Sequence, residues 1–158
     1  MIMRNSLQVA FSSLITVCLV LAIASPSFGQ FSEYRYRGYG GATIDRLISR
    51  AENRSNQFVR VFDRALDNSR LEGTIREDRL NERAQALESQ LNVVRQTFNS
   101  TRNHVEIRWQ IGQALGLARA INNVMQNRRL DVRAERQWAL LRNDLNQLAR
   151  VYNFPQLG

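Results

Sequence analysis

The sequence has no lysine, one histidine and one cysteine in 158 residues. Without lysine there is no Schiff-base chemistry and no Walker phosphate loop, whose lysine reaches the phosphates. The single histidine, His104, has Thr101 three residues before it. The paired Glu-x-x-His motifs of a carboxylate di-iron bundle are therefore missing. No Cys-x-x-Cys-His haem attachment and no Gly-x-Ser-x-Gly nucleophile elbow occurs. These absences argue for a non-enzyme with no catalytic residue, no cofactor and no metal site, composition leaving only a Ser-His-Asp triad open, and His104 reads as a surface residue at a helix start.

Proline is nearly absent too. Pro26 and Pro155 are the only two, and neither interrupts residues 43–154. Glycine is displaced to the ends, with Gly73, Gly112 and Gly116 as exceptions. A long stretch without proline, rich in Leu, Ala, Arg, Gln and Glu, favours helix.

The cysteine, Cys18, falls in the one long apolar run, Val9 to Ala24. That run is short for a membrane span, which needs about 20 residues. A lone Arg4 precedes it, and Ser27-Phe28-Gly29 follows with small side chains at the −3 and −1 positions before Gln30. Positive start, short apolar core and small-residue exit are the order of a secretory signal peptide. Residues 1–29 are read as that signal, with Ala22-Ile23-Ala24 as a second cut and an uncleaved anchor as the competing reading. Val17 before Cys18 does not suit a lipid-acceptor cysteine. Cleavage leaves 129 residues with no cysteine, hence no disulfide, thiol nucleophile or thiolate ligand. The expectation is an exported protein, periplasmic or extracellular, held together by packing alone.

Loss of Arg4 takes the formal charge from +8 to +7, and every remaining basic residue is arginine. Arginine stays ionised and pairs bidentately with carboxylates and phosphates. A GC-rich genome explains the bias, and a polyanionic partner such as an acidic glycan or lipid is the functional alternative. Export separates the chain from cellular nucleic acid.

Apolar spacing then specifies helices. Ala134, Trp138, Leu141, Leu145, Leu148 and Tyr152 follow steps of 4, 3, 4, 3, 4, and Leu80, Ala84, Leu87, Leu91, Val94 and Phe98 repeat them 54 residues earlier. Such steps mark a bundle-facing seam. The endings match as well: Leu91-Asn92 and Phe98-Asn99 recur as Leu145-Asn146 and Tyr152-Asn153. A duplicated helical hairpin accounts for this, on the match of the second helix of each pair, since the first helices do not align well with each other. Ile44, Ile48, Ala51, Ser55, Phe58, Phe62 and Ala65 form a third seam, and Ile107, Ile111, Ala114, Ala118, Ile121 and Met125 a fourth. Trp109 is offset from its seam, to flank the core or to present an exposed sticky face. Four helices are predicted, over about 43–69, 74–99, 104–127 and 131–154, with ends uncertain by about 2–4 residues. Short connectors make successive helices antiparallel. The expected fold is all-α: an up-down four-helix bundle over 43–154, after a flexible tail at 30–42 and before a C-terminal end at 155–158.

Two candidate binding features stand outside the seams. Tyr34, Tyr36 and Tyr39, interleaved with Arg35, Arg37 and glycines, form a spacer that could offer aromatic contacts to a glycan, a membrane surface or a protein. With Glu33 its net charge is low, unlike the repeated Gly-Arg arms of single-strand binders. Arg128, Arg129, Arg133 and Arg136 cluster at the last turn, beside Asp131 and Glu135. They are either a solvated helix end or an anion-binding tip, assisted by free N–H groups at the helix start. Arg46, Arg50 and Arg64 are placed on the outer face of the first helix.

The run Trp138 to Tyr152, with Leu141, Arg142, Asp144, Leu145, Asn146, Leu148 and Ala149, resembles the ending of small secreted bacterial helical proteins that remain uncharacterised. The resemblance covers mainly the last 25 residues, and implies an exported bundle and no activity. In size, export and basic charge the chain is also similar to periplasmic helical chaperones of the Leu-Thr-x-x-Gln type. Leu87-Glu88-Ser89-Gln90 keeps only the Leu and Gln of that motif. The functional expectation is a non-enzymatic exported protein that binds a protein or an anionic surface. A holdase-like chaperone is the alternative, and oligomeric state is open.

Overall fold

The computed structural model describes residues 39–101, 103–127 and 130–158. The signal segment, Tyr34, Tyr36, Arg128 and Arg129 lie outside the described residues. Four helices follow in order: α1 (Gly41–Asp67), α2 (Ile75–Ser100), α3 (His104–Asn127) and α4 (Val132–Val151). They pack in a ring, α1 on α2 and α4, and α3 on α2 and α4, as an all-α four-helix bundle. Polar contacts fix the directions. Arg108 near the start of α3 bonds to Tyr152 just past the end of α4, while Asn122 near the end of α3 meets Trp138 near the start of α4. The two helices are therefore antiparallel.

The four predicted seams form the core. Every seam residue is buried except Met125, which is half-buried against the same cluster. Phe58 stacks on Phe62 at 4.9 Å between centroids, and the Trp138 ring lies 5.2 Å from Phe58. The seams underestimate the core, because Leu47, Leu66, Leu115, Ala149 and Val151 are buried beside them. An inward helix face is wider than a two-residue seam.

Local chemistry sets the ends. Thr74 caps α2, its hydroxyl accepting from the Glu77 N–H at 3.3 Å, and the Glu77 carboxylate reaches back to the Gly73 N–H at 2.6 Å. This is a capping box displaced by one residue. Gly73 takes a φ of +69°, a left-handed conformation that other residues adopt at a cost. Asn103 accepts from the Val105 and Glu106 N–H groups at the start of α3, and Asp131 accepts from the Arg133 N–H at the start of α4.

Helix α1 begins at Gly41, two residues into the expected tail. Helix α4 stops at Val151, three residues short of the predicted end. Proline disfavours the α conformation in the residue before it, so Pro155 keeps Phe154 out of the helix. Asn153 turns left-handed at φ 57°, the Asn153 N–H bonds to Arg150 O, and the Phe154 N–H bonds to Ala149 O at 2.8 Å. These are the two bonds of a Schellman stop.

The ring is not uniform. The α3–α4 side is the loosest of the four, while α1–α2 is tight. The two hairpins, whose second helices share a sequence repeat, thus pack differently. What fills the loose side is the chain beyond α4.

Candidate functional site

Three features stand out from the bundle. The first is a charged node between α1 and α4. Asp144 is fully buried, and Arg54 Nη1 lies 2.6 Å from its Oδ2. Arg50 Nη2 lies 3.1 Å from its Oδ1 and 3.2 Å from Gln147 Oε1. Arg54 also donates to the Leu140 carbonyl at 2.9 Å. Burial pushes the Asp144 carboxyl above its ordinary value of 3.8, and the charges of Arg54 and Arg50 oppose that shift without cancelling it. Arg50 therefore faces α4, contrary to its placement on a free outer face. Helix spacing puts Arg50 and Arg54 on one side of α1, but which helix covers that side is a tertiary matter. On the opposite flank, Arg95 of α2 pairs with Asp45 and lies 3.9 Å from Glu52.

The second feature is the end of the bundle where α1 joins α2 and α3 joins α4. A cleft of about 520 Å³ is lined there by Ala65, Asn68, Arg70, Leu71, Leu130 and Asp131. Arg133 and Arg136, the described half of the arginine cluster, are exposed in the first turns of α4. The Asp131 carboxylate is engaged as the helix cap. The other end carries the exposed aromatic surface. Trp109 is 59% exposed and Val105, one turn earlier on α3, is 67% exposed. Tyr39, the one described member of the tyrosine group, is also exposed and precedes α1 at this end.

The third feature is the polar and apolar lining of the loose α3–α4 side, which holds residues 153–158. Asn146 donates to Leu157 O at 3.1 Å and accepts from the Leu157 N–H at 2.7 Å. Gly158 O receives Asn122 Nδ2, Gln126 Nε2 and Arg142 Nη1 at 2.8, 2.7 and 3.2 Å. Buried Asn122 also accepts from the Trp138 indole N–H at 3.1 Å. The Phe154 ring lies under the Arg108 guanidinium, 4.5 Å away, and against Gly112.

Sequence reasoning missed the Asp144 node and the lining residues Asn122, Asn146 and Arg142. A signal did exist for Asn146, since it recurs with Asn92 in the repeat. Asp144 and Asn122 each adjoin a seam residue, Leu145 and Ile121, where a polar side chain is easily read as a flank.

Among the described residues, no group of three or more His, Cys, Asp or Glu side chains could hold a metal ion. No described helix is long and apolar enough to cross a membrane. No family model, curated protein or solved structure matches the chain.

Proposed function

We propose that this chain is a non-enzymatic exported protein that acts by binding a protein partner, and that the exposed Trp109 carries the contact. An indole left in water forgoes a large apolar burial, and tryptophan and arginine are the residues that dominate protein interfaces. Trp109 has Val105 one turn away on the same face and Arg108 beside it, so an apolar anchor sits next to fixed positive charge. The arginine-only basicity favours a partner with an acidic rim. Export rests on the charge, apolar core and small-residue order of residues 1–29. Intact-mass measurement of the exported protein is expected to find Gln30 as its first residue, and a membrane-bound product retaining Met1 would show an anchor instead.

The binding reading is tested by a photo-crosslinking residue placed at Trp109, and at exposed Glu82 of α2 as a control, in cells that express the native chain. A discrete crosslinked product at 109, absent at 82 and lost with Val105→Asp, is the expected result. A smear of many products at both positions, with suppression of client aggregation by the purified protein, would replace this reading with a holdase. No product at 109 would sink both.

A further inference from the structure

The chain treats its own last six residues as a ligand. Residues 153–158 leave α4 through the Schellman stop and run back along the loose α3–α4 side. Phe154 lies at Gly112, and Gly158 reaches Asn122 and Gln126 further along α3. The bundle grips this segment mainly by its main chain. Asn146 satisfies both the N–H and the carbonyl of Leu157, as a neighbouring strand would. Three side chains from two helices converge on Gly158 O. Arg108 bonds the Tyr152 carbonyl at 3.2 Å at the entrance. Two side chains give selectivity. Phe154 fits where Gly112 lacks a Cβ, under the Arg108 guanidinium, and Leu157 is buried to 5% exposure. Gln156 is exposed, and the Pro155 ring restricts the backbone beside it.

Main-chain bonds from side chains, with a pocket for each of two side chains, Phe154 and Leu157, are an arrangement that suits peptide recognition. A helix–helix seam needs none of it. Asn122, Gln126 and Arg142 stand on α3 and α4 and donate to this segment, and Asn122 also accepts from the Trp138 indole.

We propose that the α3–α4 groove is a peptide-binding site for the segment Asn-Phe-Pro-Gln-Leu-Gly, filled in the monomer by the chain's own residues 153–158 and able to take the same segment from a second copy. The occupant is argued from the one already seated. A second copy presents identical main-chain groups and the same Phe and Leu, so it satisfies every contact the first one makes. Asn153 is the hinge, because the left-handed turn there, with Pro155 two residues on, takes the segment off the axis of α4. Exchange replaces an intramolecular contact by an identical intermolecular one. Its limit is the effective concentration of the tethered segment, about millimolar for a short connection.

The probe is a fluorescent heptapeptide, Tyr-Asn-Phe-Pro-Gln-Leu-Gly, added to full-length protein. Leu157→Ser weakens the tethered segment and frees the groove, so this variant is expected to bind the peptide at least about tenfold more tightly than the native chain, which is self-occupied. Adding Asn146→Ala to Leu157→Ser is expected to return binding to the native level or below. A scrambled peptide of the same composition is expected not to bind. A folded Leu157→Ser variant, judged by circular dichroism, that ignores the peptide overturns the proposal. If Leu157→Ser does not fold, the native chain decides. Unlabelled peptide at several millimolar is expected to shift the Leu157 amide resonance, as its bond to Asn146 is lost from the tethered copy. A Leu157 resonance unmoved at that concentration shows a fixed cap rather than a site.

Discussion

Arg54 on α1 and Asp144 on α4 form the shortest link between the first and last helices, 2.6 Å from Nη1 to Oδ2, with the carboxylate fully buried and the guanidinium reaching the surface. The asymmetry decides how the pair responds to mutation. Removing both of the aspartate's arginines, Arg54 and Arg50, strands a charge in the core. Removing the charge on the aspartate leaves an arginine that water can still solvate.

Arg54→Met combined with Arg50→Met is therefore expected to destabilise the protein by about 3 kcal/mol, the usual cost of an uncompensated buried charge, and Arg54→Met alone to cost less, because Arg50 still pairs with Asp144. Asp144→Asn keeps an oxygen that accepts from Arg54 and is expected to cost well under half of the double variant's loss. Chemical denaturation of these variants checks the ranking. Equal losses would mean that the pair contributes mainly through its attraction.

The same carboxyl gives stability a pH signature. Its folded value lies above the ordinary 3.8, so the folded state holds the Asp144 proton more tightly than the unfolded chain. The Asp144 contribution to stability is then greatest below 3.8 and declines as pH rises from there through the folded value. Subtracting the Asp144→Asn profile from the native one, by melts at successive pH values, isolates this slope. A difference that grows with pH would reverse the sign and show that the arginines outweigh burial.

Gly112 and Gly116 separate helix propensity from contact. A Cβ at Gly116 meets nothing within 4 Å, so Gly116→Ala is expected to stabilise α3 by about 0.5–1 kcal/mol. A Cβ at Gly112 would lie 3.1 Å from Phe154 Cζ, and Gly112→Ala is expected to gain less, or to lose, as the ring is displaced. With Phe154→Ala in place, the two substitutions are expected to converge. Double-mutant cycles from urea denaturation measure the coupling.

The arginine cluster is tested as a unit. Arg128, Arg129 and Arg133, all changed to Gln, are expected to weaken binding to lipopolysaccharide vesicles more than the same change at Arg46, Arg60 and Arg64. Those controls are exposed on α1, whereas Arg50 is excluded because it serves Asp144. Binding is expected to fall as salt rises, since exposed charges are screened over about 8 Å at physiological ionic strength. Equal losses in both triple variants would show a response to net charge alone, and absence of binding by the native chain would show a solvated helix end.

The sequence by itself determined the helices and their inward faces. Leu80 to Phe98 and Ala134 to Tyr152 repeat at helical spacing, and a helix that buries one stripe has no other face to turn inward. Short connectors then left antiparallel packing as the simple course. The tertiary structure alone decided which sides of the ring close and which stays open. Spacing within a helix reports where its own inward face lies, not which distant helix covers the flank. Arg50 thus read as surface charge until α4 brought Asp144 against it and against Arg54. Asn122, Arg142 and Asn146 read as ordinary polar positions until the chain turned back at Asn153. Residues 153–158 have no periodicity to read, and their place depends on main-chain groups that every sequence shares. Selection among grooves came from the Gly112 gap, the Leu157 pocket and donors set on two helices far apart in the chain.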